Sequence, residues 1–261
     1  MKSKTGNNPG PLTKRETFIF ASGDMFGGGG QVIIAFFYLI FLTDVIGLRS
    51  ALAGIVILLS KIWDAVSDPL MGIITDNTRT RFGRRKPYFL AGFFGVLAAF
   101  ILLWFPISSE SDLVLFSYVL FSYLFYSTIS TMVMVPYAAM SSEISMDYEE
   151  RNTVNGSRLF FSQFSSLIAA VLPLEIIKQM PTVGEGYIAI GIIFGVLYAI
   201  PFLFIFFKTH ERVATGSQEK STFRYSEIIR PFKLSSFRIL IGIYLFAFLA
   251  MDIVATVFGI I

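Results

Sequence analysis

The chain has 261 residues, of which 54% are hydrophobic and only 15% charged, and its mean hydropathy is +0.69. An ordinary soluble domain lies nearer 45–50% apolar and about 25% charged, so this composition excludes a water-soluble globule and a disordered chain and marks an integral membrane protein. Zero cysteines and a single histidine, His210, remove disulfide frameworks, thiol nucleophiles and imidazole clusters, so neither an enzyme nor a cofactor is expected.

A bilayer core of about 30 Å needs roughly 20 helical residues per crossing. Seven apolar runs of that kind are predicted as spans, at 18–42, 51–75, 88–107, 113–139, 159–177, 187–207 and 239–261. The first is too long for the apolar stretch of a cleavable signal peptide, and no small-residue cleavage site follows it.

Lys and Arg resist translocation and so mark the cytoplasmic side. Lys2, Lys4, Lys14 and Arg15 precede the first span, and Arg79, Arg81, Arg84, Arg85 and Lys86 fill the second link. Arg151 and Arg158 follow the fourth span, and a further set between Lys208 and Arg238 follows the sixth. The intervening links hold only Arg49 and Lys178. The N-terminus is therefore expected in the cytoplasm, together with the polar segment 210–233, and the protein in the cell membrane. The formal net charge of +3 then expresses topology, and no nucleic-acid partner is expected. The organisation predicted is all-α. A six-helix N-terminal bundle occupies 1–207, a cytoplasmic linker 208–238, and 239–261 is the first helix of a second bundle whose remainder, the C-terminal half, is missing.

The strongest motif lies in the second span, Lys61-Ile62-Trp63-Asp64-Ala65-Val66-Ser67-Asp68-Pro69. Each carboxylate in an apolar helix costs about 2.5–3.5 kcal/mol on insertion scales, so both need a polar cavity or a cation. The i, i+3 and i+4 spacings put Asp64, Ser67 and Asp68 on one helical face. Hard oxygens there suit Na⁺, or a carboxylate carries H⁺; the competing structural reading is a helix staple in which Lys61 neutralises the acids. At the cytoplasmic end, Gly72-Ile73-Ile74-Thr75-Asp76 is followed by Gly83-Arg84-Arg85-Lys86-Pro87, a set able to pair charges across the link and close a gate, where plain positive-inside anchoring is the alternative. Glu143, Asp147, Glu149, Glu150 and Arg151 read as a solvated cytoplasmic link, with Glu143 and Arg151 as gate partners of the basic cluster.

These elements together resemble the major facilitator superfamily, built from two six-helix halves with the substrate site between them. The second-span motif, with Thr43-Asp44-Val45, Val135-Pro136-Tyr137 and the run from Arg151 to Arg158, is similar to one branch of it, the glycoside-pentoside-hexuronide:cation symporters. That resemblance implies cation-coupled symport of a small molecule, a sugar or glycoside, by alternating access, in a lipid bilayer. It implies a cation site at Asp64, Ser67, Asp68 and Thr131, with Ser67 standing where the melibiose permease has Asn and with Na⁺ or H⁺ as the coupling ion. It places the substrate contacts at Gly28, Met134, Ala138 and Arg158, of which only Arg158 keeps the family's residue type, and Asp24 is one helical turn away to lend a carboxylate. For Arg158 a snorkelling anchor is the alternative reading. The loss of sugar-binding carboxylates also admits an amphipathic or lipid-like substrate on the same fold, and a non-transporting receptor is the alternative from another class. The run Gly27-Gly28-Gly29-Gly30 admits either close approach of a ligand or close helix packing. In the last span Asp252 is expected to face the substrate cavity.

Overall fold

The computed structural model describes residues 12–145, 147–212 and 233–258, without the side chains of Phe248 and of residues 251–258. Lys2, Lys4, most of the expected linker, the last three residues of the seventh span and the Asp252 side chain lie outside the described residues. Among the described residues the chain is helical, without a strand. Six of its helices are long and apolar enough to cross a bilayer, which makes it a multi-pass membrane protein.

The first span is built from segments. Thr13 accepts from the Glu16 backbone N–H and starts α1 (Lys14–Ser22). At Gly23 the helix tightens, its N–H bonding the Phe20 carbonyl three residues back, and α2 (Asp24–Ile33) continues from there. Two π-helical segments follow, Ile34–Tyr38 and Phe41–Val45, and the second closes with the Ile46 N–H on the Phe41 carbonyl five residues back. The sequence predicts one apolar span over 18–42, and the structure resolves its backbone into these segments. Periodic hydrophobicity carries no signal for a π segment, because the segment preserves apolar character and changes only the hydrogen-bond register.

The other five spans are α3 (Ser50–Asn77), α4 (Lys86–Leu103), α5 (Asp112–Glu143), α6 (Tyr148–Gln179) and α7 (Val183–Lys208). The predicted span at 159–177 is only the apolar part of α6. The helix begins where Asp147 accepts from the Glu150 N–H, so the charge run expected as a link is largely its first turns, while Glu143 closes α5. One proline sits inside each of α3, α5, α6 and α7 (Pro69, Pro136, Pro173 and Pro201). Such prolines are tolerated in membrane helices because neighbouring helices support the freed backbone groups.

Packing proceeds in pairs, α2 against α6, α3 against α5 and α4 against α7, with α4 also against α5 and α1 against α6. Aromatic rings fill the middle. Phe26 lies among Phe100, Tyr126, Tyr198 and Phe202, and Tyr38 stacks on Tyr123 and meets Trp104 edge-on. Between membrane helices, where lipid tails are as apolar as the core, van der Waals fit and close approach hold the bundle together. Close approach is supplied at the α2–α6 crossing. A Cβ on Gly28 would overlap Ser162, one on Gly29 would overlap Ser165 and Tyr198, and the Ser165 hydroxyl donates to the Met25 carbonyl at 2.8 Å. The apolar helix α8 (Ser235–Phe258) belongs to a second unit.

Candidate cation and substrate site

The α3–α5 interface carries the polar groups of the second-span motif. Ser127 donates a hydrogen bond to Asp64 Oδ1, and Thr131 donates to Asp68 Oδ1 at 2.7 Å. Ser67 lies 3.4 Å from the Thr131 hydroxyl, and Trp63 Nε1 donates to Thr128 at 2.9 Å. Both acid–hydroxyl pairs have the same sequence offset of 63, so α3 and α5 run parallel and in register here. Lys61 reaches Asp64 Oδ2 at 3.7 Å from an exposed position on the same helix. Of the predicted cation set, Ser67, Asp68 and Thr131 meet directly, and Asp64 stands one helical turn away with its carboxylate on Ser127. The structure adds Ser127, which the sequence reading omitted; the available signal was spacing, since Ser127 precedes Thr131 by four residues as Asp64 precedes Asp68.

The predicted substrate positions separate. Arg158 Nε bonds Asp24 Oδ2 at 3.1 Å, and its guanidinium lies over the Tyr137 ring, 4.8 Å from the centroid. Both partners of that ion pair are more than four-fifths buried, and Tyr137 is fixed in turn by donating to the Phe20 carbonyl at 2.8 Å. Met134 reaches over Gly27, where a Cβ would sit 2.7 Å from the Met134 methyl and from Asp24 Oδ1. Gly28 does not join them: its open side is filled by Ser162, so helix packing accounts for it. Ala138 is exposed. Asp24, and not position 28, supplies the carboxylate that meets Arg158.

At the cytoplasmic end predicted from the Lys and Arg bias, Arg85 grips both oxygens of Glu143 with Nη1 at 2.6 Å and Nη2 at 2.9 Å, and Arg84 Nη2 adds two contacts at 3.1 Å. Asp76 stands 3.5 Å from Arg85 and 4.0 Å from Arg84. Planar guanidinium forks on carboxylates of this kind are directional as well as charge-assisted. Arg151 makes no ion pair with this cluster among the described residues. A third acid, unnoticed in the sequence because it follows α7 in what reads as linker, completes the arrangement. Glu211 accepts from the backbone N–H groups of Arg84, Arg85 and Lys86 at 2.8, 2.7 and 2.9 Å, a carboxylate seated on the N-terminus of α4. Gly83 makes this possible: it has φ +116°, and a Cβ there would lie 2.7 Å from the Glu211 carboxylate. Beside it, Glu16 accepts from Arg212 Nη1 and Nη2 at 3.0 and 2.7 Å and from the His210 N–H at 2.9 Å.

The chain is thus a helical membrane bundle with two acids of one span facing hydroxyls of another and a charged clasp at one end. The model of the MFS/sugar transport protein family matches residues 19–258, and the chain belongs to that family. It is 28% identical over 246 residues to the uncharacterized symporter YnaJ of Bacillus subtilis, covering 92% of this chain and 52% of the relative. It is 30% identical over 219 residues to the putative glycoside/cation symporter YagG of Escherichia coli, covering 81% and 46%. Over 150 residues it is 30% identical to the sodium-dependent lysophosphatidylcholine symporter 1-A of Danio rerio, covering 57% and 28%. The chain spans about half the length, or less, of these relatives.

Proposed function

We propose that the chain is the N-terminal part of a cation-coupled symporter working by alternating access, with Asp64, Ser67, Asp68 and Thr131 as the site of the coupling ion. The observation that carries this is the pair of carboxylates inside an apolar span, each met by a hydroxyl of the parallel helix α5. A helix staple needs one acid, and Lys61 approaches only Asp64. A bound Na⁺ or H⁺ offsets the remaining negative charge, and the carrier then changes conformation by as much as the ion binds one state better than the other. The names of the relatives support symport, and the family description supports a sugar or glycoside as the co-substrate. Asp24 and Arg158 are the substrate contacts in this reading, and the Asp76, Arg84, Arg85 and Glu143 cluster, with Gly83 in its loop, is the gate on the cytoplasmic side. The N-terminus is cytoplasmic, the membrane is the cell membrane, and the remainder of the whole transporter supplies a second bundle.

A second substrate reading has its own observation. Arg158 and Asp24 neutralise one another beside the thioether of Met134, an amphoteric polar pair against an apolar wall. That pairing suits a zwitterionic amphipath, the class named for the lysophosphatidylcholine symporter relative. The test is thermal stability of the purified chain in detergent with NaCl, LiCl or choline chloride, followed by uptake of labelled glycosides and lysophospholipids into vesicles by the whole transporter. Na⁺ or Li⁺ is expected to raise the melting temperature, and Asp64→Asn and Asp68→Asn to abolish the rise. An equal rise in both variants would sink the cation site. Uptake of a glycoside decides for the sugar reading, and uptake of the lysolipid alone decides against it.

A further inference from the structure

The cation site as proposed takes one hydroxyl from α5 for two acids, yet α5 presents two. Ser127 is 5% exposed and points its hydroxyl at Asp64, while Thr131, 7% exposed and one turn further along α5, points at Asp68. The common offset of 63 gives two equivalent rungs on parallel helices, and one turn before them the Tyr123 hydroxyl lies near Ser60 at the same offset. The neighbouring Trp63–Thr128 contact falls outside this register and involves no acid, so it serves packing.

We propose that Ser127 is a further ligand of the coupling cation and helps set which alkali ion the site prefers. This rests on the cation-site reading above and extends it. A hydroxyl has one donor and two acceptor positions. Without an ion Ser127 donates to the Asp64 carboxylate; with an ion between the rungs it turns an oxygen lone pair to the metal while Asp64 keeps a second contact to the ion. The ion then lies between two adjacent rungs that offer five oxygen-bearing side chains, Asp64 and Ser127 on one and Ser67, Asp68 and Thr131 on the other. Asp64 and Asp68 sit one turn apart, so the Asp64–Ser127 rung fixes how closely the ligands gather around an ion held at Asp68. Losing it favours one ion radius over another as well as weakening both. A contact that only packs α3 on α5 has no such effect on selectivity.

The experiment titrates NaCl and LiCl, at constant ionic strength with choline, against the melting temperature of the full chain in detergent. It compares the wild type with Ser127→Ala, Ser127→Cys, Ser127→Thr and the packing control Thr128→Val. Ser127→Ala is expected to need about tenfold more Na⁺ for half the stabilisation, the effect of one hydrogen bond to a charged group, and to change the ratio of Li⁺ to Na⁺ midpoints. Ser127→Cys keeps the shape but offers a soft sulfur, and it is expected to behave alike. Ser127→Thr keeps the hydroxyl and the wild-type ratio, and Thr128→Val lowers the ion-free melting temperature without moving either midpoint. Wild-type midpoints and ratio in Ser127→Ala or Ser127→Cys would overturn the proposal. A wild-type chain indifferent to both ions would overturn Ser127 as an alkali-ion ligand together with the alkali-ion reading of the site, leaving H⁺ as the coupling ion, a result separable from the first because it appears before any substitution.

Discussion

The clasp between the α3–α4 link and the residues after α7 makes a quantitative prediction for Gly83→Ala. Two costs are separable. An alanine at φ +116° sits in a sparsely populated backbone region, worth about 1–3 kcal/mol. Its Cβ also meets the Glu211 carboxylate at 2.7 Å, and a displaced carboxylate loses charge-assisted bonds to the amides of Arg84, Arg85 and Lys86. One such bond is worth about 1.5–3 kcal/mol net. In the Glu211→Ala background the second cost vanishes and only the backbone term remains. Melting at a fixed scan rate, read through the fully buried Trp104, is expected to show Gly83→Ala lowering the transition by about 2–4 °C per kcal/mol lost. The drop is larger by about 1.5–3 kcal/mol in wild type than in Glu211→Ala, taking that bond as the coupling energy of the cycle. Equal drops in the two backgrounds would refute the contact between Gly83 and Glu211 as the source of the effect.

Other glycines divide by what surrounds them. Gly29→Ala is expected to destabilise by about 1–3 kcal/mol through overpacking against Ser165 and Tyr198, whereas Gly54→Ala and Gly72→Ala, where an added Cβ meets nothing within 4 Å, gain about 0.5–1 kcal/mol of helix stability; denaturation of the three variants side by side checks the order. Asp24→Asn strands a largely buried guanidinium and is expected to cost about 3–5 kcal/mol, much of it recovered in the double variant with Arg158→Gln. A double variant no better than the single one would show the pair to be energetically unlinked.

The spans were legible in the sequence because a run of some twenty apolar residues has few alternatives in a bilayer, and their ends in the structure differ where polar helix continues past the apolar stretch, as at the start of α6. The acids of α3 were legible because charge in an apolar helix is costly enough to demand a reason. Their partners on α5 were less so: serines and threonines are cheap in membrane helices, and Ser127 looks like any of its neighbours until a facing helix gives it an acid. Glu211 was hidden for the opposite reason, an acid among charged residues after a span, where only the backbone geometry of a distant loop gives it a use. At Gly28 the resemblance to a substrate position was outweighed by a crossing helix, since Ser162 occupies the space a side chain or ligand would need.

The seam between α2 and α6 has a consequence for Asp24 and Arg158, which stand on those two helices. Gly28 and Gly29 lie so close to Ser162 and Ser165 that the helices cannot slide or part without losing contact along the seam. The two helices that carry the acid and the guanidinium are therefore held at a fixed separation, like the jaws of a set caliper. On the proposed substrate reading, a molecule that touches both meets two polar groups whose helices are held at a fixed separation.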